Sequence, residues 1–132
     1  MRKDSADLVV VGAGTLGGWS SVFAAQDGVR DVVVIEREMA GLGASSRAAG
    51  MVRAQGGSPD TVRLGTWSID FYRRQADRYG VTSGFRGAGY LILAATASEE
   101  RAAHDRIAMQ RDVGLDARWA DAAESRRPTH AP

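Results

Sequence analysis

Leu8–Gly17 reads LVVVGAGTLG and Asp31–Glu36 reads DVVVIE; how these two stretches are joined decides the fold. Leu8 to Val11 is a run of β-formers, apolar on both faces, too short for a helix and closed by Gly12, the pattern of a buried parallel strand. Thr15 to Asp27 then sets Leu16, Trp19, Val22, Phe23 and Ala25 at helical spacing, with Gly28 where a C-terminal cap belongs. DVVVIE is a second β-branched run, ending in an acid. Together these elements predict a βαβ unit with two parallel strands.

Gly12, Gly14 and Gly17 form GxGxxG, a pattern that means little alone because glycine-rich turns are common. Here its context is complete. Gly12 directly follows a strand, Gly17 falls in the first turn of a helix, and Glu36 ends the second strand 19 residues beyond Gly17, as a dinucleotide-binding unit requires. Gly12 allows the tight turn, Gly14 lets a pyrophosphate approach the backbone, and Gly17 lets the helix lie close to the first strand. The amides around Thr15 and Leu16 would face the phosphates at the positive end of that helix. Glu36 would accept hydrogen bonds from the adenosine ribose hydroxyls. A carboxylate there repels a 2′-phosphate and argues against NADP, but does not separate NAD from FAD.

Working outward, Gly41 to Gly50 reads GLGASSRAAG, a loop of small residues that opens into a short helix at Ser45 or Ser46. Such a loop permits close approach to a large flat ring, and Ser45, Ser46 and Arg47 are suited to phosphate oxygens; a plain surface loop is the alternative. Ser58, Pro59 and Asp60 announce a helix running to about Tyr79 and closed by Gly80. Its apolar residues form two stripes, Leu64, Trp67 and Phe71 on one and Val62, Ile69, Tyr72, Ala76 and Tyr79 on the other, so much of its circumference is expected to be buried. Phe85 to Thr96 is strand-like, with Gly87 and Gly89 breaking its start. Ser98 is expected to cap a polar helix with Glu99 and Glu100 in its first turn and Gly114 after its end. A short segment from Leu115 to Trp119 and a helix from Asp121 precede Pro128.

The bulk numbers set limits. A chain of 132 residues with 44% hydrophobic and 25% charged side chains is an ordinary globular composition,. With 17 basic and 16 acidic residues the net charge is +1, too small a field to suggest a nucleic-acid or membrane partner. No cysteine is present, which removes disulfides, thiolate metal sites and a cysteinyl flavin link, and a reducing cytoplasm suits such a chain. The polar Met1–Asp7 segment and the glycine-broken apolar run after it are neither signal peptide nor membrane span. His104 on a polar helix and His130 in the tail are expected to be solvated, no metal site is expected, and Trp19, Trp67 and Trp119 are expected to pack. Tyr90 has two readings, core or substrate pocket.

The order VVVGAGTLG, VVVIER, GASSRAAGMVR, a long helix and FRGAGYLILA resembles the start of the D-amino acid oxidase family, nearest to its sarcosine oxidase β-subunit and glycine oxidase branches, from about Asp7 to Pro128. The resemblance implies an α/β fold: a Rossmann-like FAD-binding unit over residues 1–80 and the beginning of a mixed α+β substrate domain over 81–132. It implies that Gly12, Gly14, Thr15 and Leu16 hold the FAD pyrophosphate, Glu36 the ribose, and that Arg37 flanks the adenine. Ser45 and Ser46 would contact the pyrophosphate region, and the backbone of Ala49, Gly50 and Met51 would pass beside the isoalloxazine ring. Some relatives carry a flavin-linked histidine where this chain has Arg47, so FAD held non-covalently is expected. Monomeric sarcosine oxidases tend to have an arginine at the position of Gly50, which favours the other two branches.

The implied reaction is oxidation of a carbon–nitrogen bond in a small amino acid or N-methyl amino acid. Family members are much longer, so the second FAD motif, the substrate-carboxylate residues and the catalytic residues are expected beyond Pro132, and none of the latter is assigned here. An NAD-binding dehydrogenase module, sharing GxGxxG and Glu36 but not requiring GASSRAAG, and a non-catalytic truncated fragment are the alternatives.

Overall fold

The computed structural model describes residues 5–126; Pro128 and His130 lie outside them. Two compact units divide between Met51 and Val52.

In the first unit, β1 (Leu8–Val11) and β2 (Val32–Ile35) flank α1 (Thr15–Gln26). The strands pair in parallel, with Leu8 opposite Val32 and Val11 opposite Ile35. The helix ends at Asp27, and Gly28 follows with φ 98°, a left-handed turn that glycine takes without a Cβ penalty. Helix α1 lies against the glycine-rich turn because Gly17 has no side chain: a Cβ there would run into the Gly12 carbonyl oxygen and stand 3.2 Å from Val10 Cγ1. The loop after β2 carries a single 3-10 turn, Ser45–Arg47, at the place where the sequence suggested a short helix.

The second unit contains α2 (Pro59–Arg73), α3 (Gln75–Tyr79), α4 (Ala97–Asp112) and α5 (Ala122–Ser125). Helix α2 starts as the sequence indicates, with Ser58 as N-cap in a reciprocal box with Thr61 and Pro59 at its first position. It does not continue unbroken to Tyr79. The helix breaks at Arg74, where a backbone N–H of the cap closes onto the Tyr72 carbonyl and the Ser83 hydroxyl donates to the same oxygen at 2.9 Å. Gly80 then closes α3 at φ 70°. Gly65 lets α2 meet the backbone of Arg53 and Ala54, where a Cβ would stand 2.6 Å from the Arg53 carbonyl oxygen.

Ala54, Val62, Phe71, Ala117 and Gln110 form the buried centre of this unit. Gln110 donates through Nε2 to the Gly56 carbonyl at 3.0 Å, which satisfies a polar group that would otherwise be costly to bury.

Three further expectations for this unit are corrected. Phe85–Thr96 forms no strand among the described residues. A strand exists only as hydrogen bonds to a neighbour, and among the described residues this segment has the composition without a partner strand; Leu91, Ile92 and Leu93 are exposed. Helix α4 is capped by Thr96, not Ser98. Glu99 stands three residues after Thr96, so its carboxylate accepts from the Thr96 amide at 2.9 Å while Thr96 Oγ1 accepts from the Glu99 amide at 3.2 Å; from Ser98 the equivalent position is Arg101, which cannot reciprocate. Burial of α2 is narrower than its two stripes suggested, since Val62 and Phe71 are buried while Leu64 and Trp67 are exposed. His104 is exposed, as the sequence indicates, with its ring stacked on Trp119 at a centroid distance of 4.7 Å and its Nε2 3.9 Å from Glu100.

Candidate cofactor site

The site lies in the first unit, at the N-terminus of α1. Gly12 leaves β1 at φ 99°, with its amide donating to the Ile35 carbonyl at 2.7 Å, which extends the pairing of the two strands by one step. Gly14 is the N-cap of α1 and supplies no side-chain acceptor. The cap comes instead from the distant loop, where Ser45 Oγ accepts from the Thr15 amide at 2.9 Å. The same loop is tied down by the Gly41 amide, which donates to the Ala13 carbonyl at 2.9 Å.

Glu36, at the end of β2, turns its carboxylate onto this turn. Oε2 accepts from the Ala13 amide at 2.8 Å and Oε1 from the Glu38 amide at 3.0 Å. These bonds stabilise the ionised form, so the carboxyl is held below its ordinary value, the Ala13 N–H contributing most, then that of Glu38, with Arg37 adding a favourable charge,. Ala13, Gly14, Thr15, Gly18, Trp19, Val22, Gly41 and Ser45 line an open depression of about 330 Å³.

The structure thus gathers Gly12, Gly14, Thr15, Gly17, Glu36 and Ser45 around one turn. Other candidates stand apart from it. Leu16 is exposed on the first turn of α1. Arg37 is exposed and paired with Glu38 at 3.4 Å. The Ser46 hydroxyl donates to the Leu42 and Gly43 carbonyls at 2.9 and 3.2 Å, so it organises its own loop. Arg47 lies exposed in the 3-10 turn, and Ala49, Gly50 and Met51 form an exposed irregular stretch with Gly50 at φ 68°. Two participants went unread in the sequence, Ala13 and Gly41. Ala13 acts through its backbone alone, which no residue type announces. Gly41 has φ 78°, and its place in GLG was the available signal.

The donor set fits a pyrophosphate. Helix α1 has no acid in its first turn, its amides are at the positive end of the helix dipole, and a Cβ on Gly14 would stand 3.0 Å from Ser45 Oγ, between two residues that line the depression. Among the described residues no group of three or more histidines and carboxylates is placed to hold a metal ion, and no helix is long and apolar enough to cross a membrane.

A parallel βαβ unit with this turn, helix end and terminal carboxylate defines a dinucleotide-binding fold. Residues 7–132 match the model of the DAO family, FAD dependent oxidoreductase. The chain belongs to that family, whose members bind FAD. It is 30% identical over 115 residues to a 4-methylaminobutanoate oxidase (formaldehyde-forming) of Paenarthrobacter nicotinovorans, covering 84% of this chain and 14% of the relative. It is 31% identical over 94 residues to the mitochondrial dimethylglycine dehydrogenase of Rattus norvegicus, covering 71% of this chain and 11% of the relative. Among solved structures, the L-proline dehydrogenase from P. horikoshii superposes with a TM-score of 0.75 at 26% identity, over 86% of this chain and 29% of that one. The chain therefore spans under a third of the length of each of these relatives.

Proposed function

We propose that this chain supplies the adenosine and pyrophosphate half of the FAD site in an enzyme that oxidises a carbon–nitrogen bond of a small amino acid or N-methyl amino acid. The observation that carries the reading is the convergence of the Glu36 carboxylate and the Ser45 hydroxyl on the glycine-rich turn at the start of α1. The amides at Gly14 and Leu16 would hold the pyrophosphate, joined by that of Thr15 on exchanging Ser45 Oγ for a phosphate oxygen, with Gly12 and Gly17 giving the turn its shape. Glu36 would take the ribose hydroxyls, and Arg37 would lie by the adenine. Ser45, Ser46 and Arg47 would close over the phosphates, and Ala49, Gly50 and Met51 would border the isoalloxazine. FAD, when bound, supplies the acceptor for the hydride that leaves the substrate carbon. The residues of this chain bind and orient it; none is assigned as an acid or base.

Residues 1–80 are assigned to the cofactor domain and 81–132 to the beginning of the substrate domain, although residues 52–80 share a compact unit with those that follow. The named substrates of the relatives, 4-methylaminobutanoate, dimethylglycine and L-proline, support a small amine-bearing acid as the substrate class. A cytoplasmic location is the proposed compartment, one that a chain without cysteine fits,.

The test is the nucleotide that copurifies with a polypeptide containing this chain. A visible flavin spectrum, bleached anaerobically by an N-methyl amino acid, is the expected result; bound NAD, or no nucleotide after purification in added FAD, overturns the reading. Residues 1–132 by themselves are expected to hold FAD weakly and to turn nothing over. Their two-stranded sheet leaves Val11 and Ile35 exposed, and a sheet that small is rarely stable on its own.

A further inference from the structure

The bonds made by Glu36 exceed what a ribose contact requires. A carboxylate offers about four lone-pair sites, and here one on each oxygen is already taken by a backbone N–H, Ala13 on Oε2 and Glu38 on Oε1. The Glu38 bond is local. The Ala13 bond joins positions 23 residues apart and ties the end of β2 to the turn between β1 and α1.

What that bond holds is a segment with little stiffness of its own. Ala13 lies between Gly12, in a left-handed conformation at φ 99°, and Gly14, and glycine loses more backbone freedom than any other residue when fixed. Ala13 is gripped on both sides, its N–H by Glu36 and its C=O by the Gly41 amide. Fixing those two groups fixes the planes of the peptides before and after Ala13, and with them the direction in which the Gly14 amide points.

We propose that Glu36 is a positioning residue for the glycine-rich turn, its carboxylate holding the Ala13 N–H and so presetting the phosphate-facing amides, while its remaining lone pairs serve the nucleotide hydroxyls. The second half rests on the FAD reading above; the brace does not. The charged side chain acting on this carboxylate is Arg37, next in the chain and paired with Glu38, and both are exposed, so solvent screens them and the two amide bonds dominate. Glutamine is the informative replacement. It keeps size and one carbonyl oxygen but sets an NH2 group against one of the two backbone donors, so a single bond survives.

The experiment is amide hydrogen exchange and NMR titration, without nucleotide, of a polypeptide containing this chain. In the wild type the Ala13 amide resonance should follow the Glu36 carboxyl as acid is added, with one shared midpoint below 4.5, and Glu36→Gln should speed Ala13 exchange by about tenfold or more, as loss of a charged acceptor implies. A second arm uses ADP and its 2′,3′-dideoxy analogue, which lacks the diol. The brace predicts that Glu36→Gln weakens both, whereas a residue serving only the ribose weakens ADP alone. An Ala13 amide that ignores both the titration and the substitution, or a loss confined to ADP, overturns the proposal. Should Glu36→Gln fail to fold, the wild-type titration decides. A wild type that refuses FAD and ADP while its Ala13 amide still follows Glu36 sinks the FAD reading and leaves the brace standing.

Discussion

Adjacent glycines at the start of α1 should respond in opposite directions to the same methyl group. Both Gly17 and Gly18 lie within the helix, where alanine is favoured over glycine by up to about 1 kcal/mol. At Gly18 a Cβ meets nothing within 4 Å, so Gly18→Ala should gain most of that amount. At Gly17 the Cβ collides with the Gly12 carbonyl oxygen and also lies 3.1 Å from the Gly12 carbonyl carbon. Those are backbone atoms of a turn held by the Gly12–Ile35 and Ala13–Glu36 bonds, so they yield only by pushing α1 off β1. Overpacking of this kind costs about 1–3 kcal/mol, which outweighs the helical gain. The two variants should differ by roughly 2 kcal/mol, or about 8–16 °C in melting temperature for a unit this small. The assay is thermal unfolding without nucleotide, followed by far-UV circular dichroism and by hydrogen exchange at the Val10 amide as a local reporter. A Gly17→Ala protein that melts at or above the wild type would refute the claim that close helix–strand approach fixes this residue as glycine.

In a polypeptide containing this chain, Gly14→Val should abolish FAD retention on desalting, because its side chain starts 3.0 Å from Ser45 Oγ in the depression; normal flavin content would remove the phosphate role from this turn. Acid precipitation of the flavin-loaded protein should leave all flavin in the supernatant, since the chain has no cysteine and has Arg47 where some relatives have a histidine; a flavinylated peptide from residues 1–132 would contradict this. Thr96→Ala should cost about 1 kcal/mol through loss of the α4 cap, read by chemical denaturation. The partner carboxyl, Glu99, is held below 4.5 chiefly by the Ala95 N–H, then by the Thr96 hydroxyl and N–H. Its contribution should therefore be complete above that value and be lost as pH falls through the lowered one, and a Glu99→Gln protein that keeps the wild-type pH profile would count against the box. Gln110→Leu should destabilise the second unit by about 1–3 kcal/mol by stranding the Gly56 carbonyl that Gln110 serves,, and unchanged stability would show that this carbonyl finds another donor.

The βαβ unit was legible in the sequence because its determinants are local. Strand runs, helical spacing, Gly12, Gly28 and the acid after DVVVI each act within a few residues, and their separations along the chain carry the fold. The same holds for the Ser58 and Pro59 start of α2 and for Gly80. Tertiary structure alone decided what depends on a distant partner. Phe85–Thr96 has strand composition but, among the described residues, no neighbour to complete its hydrogen bonds. Helix α2 ends at Arg74, where the distant Ser83 hydroxyl joins the Tyr72 carbonyl, and His104 finds Trp119. At the site itself, residue identity marked Glu36 and Ser45 as polar groups near a cofactor. Only the folded chain shows that they are already bonded to the Ala13 and Thr15 amides, because a hydrogen bond is set by distance and direction in space, and neither is written in the spacing of residues 23 and 30 positions apart.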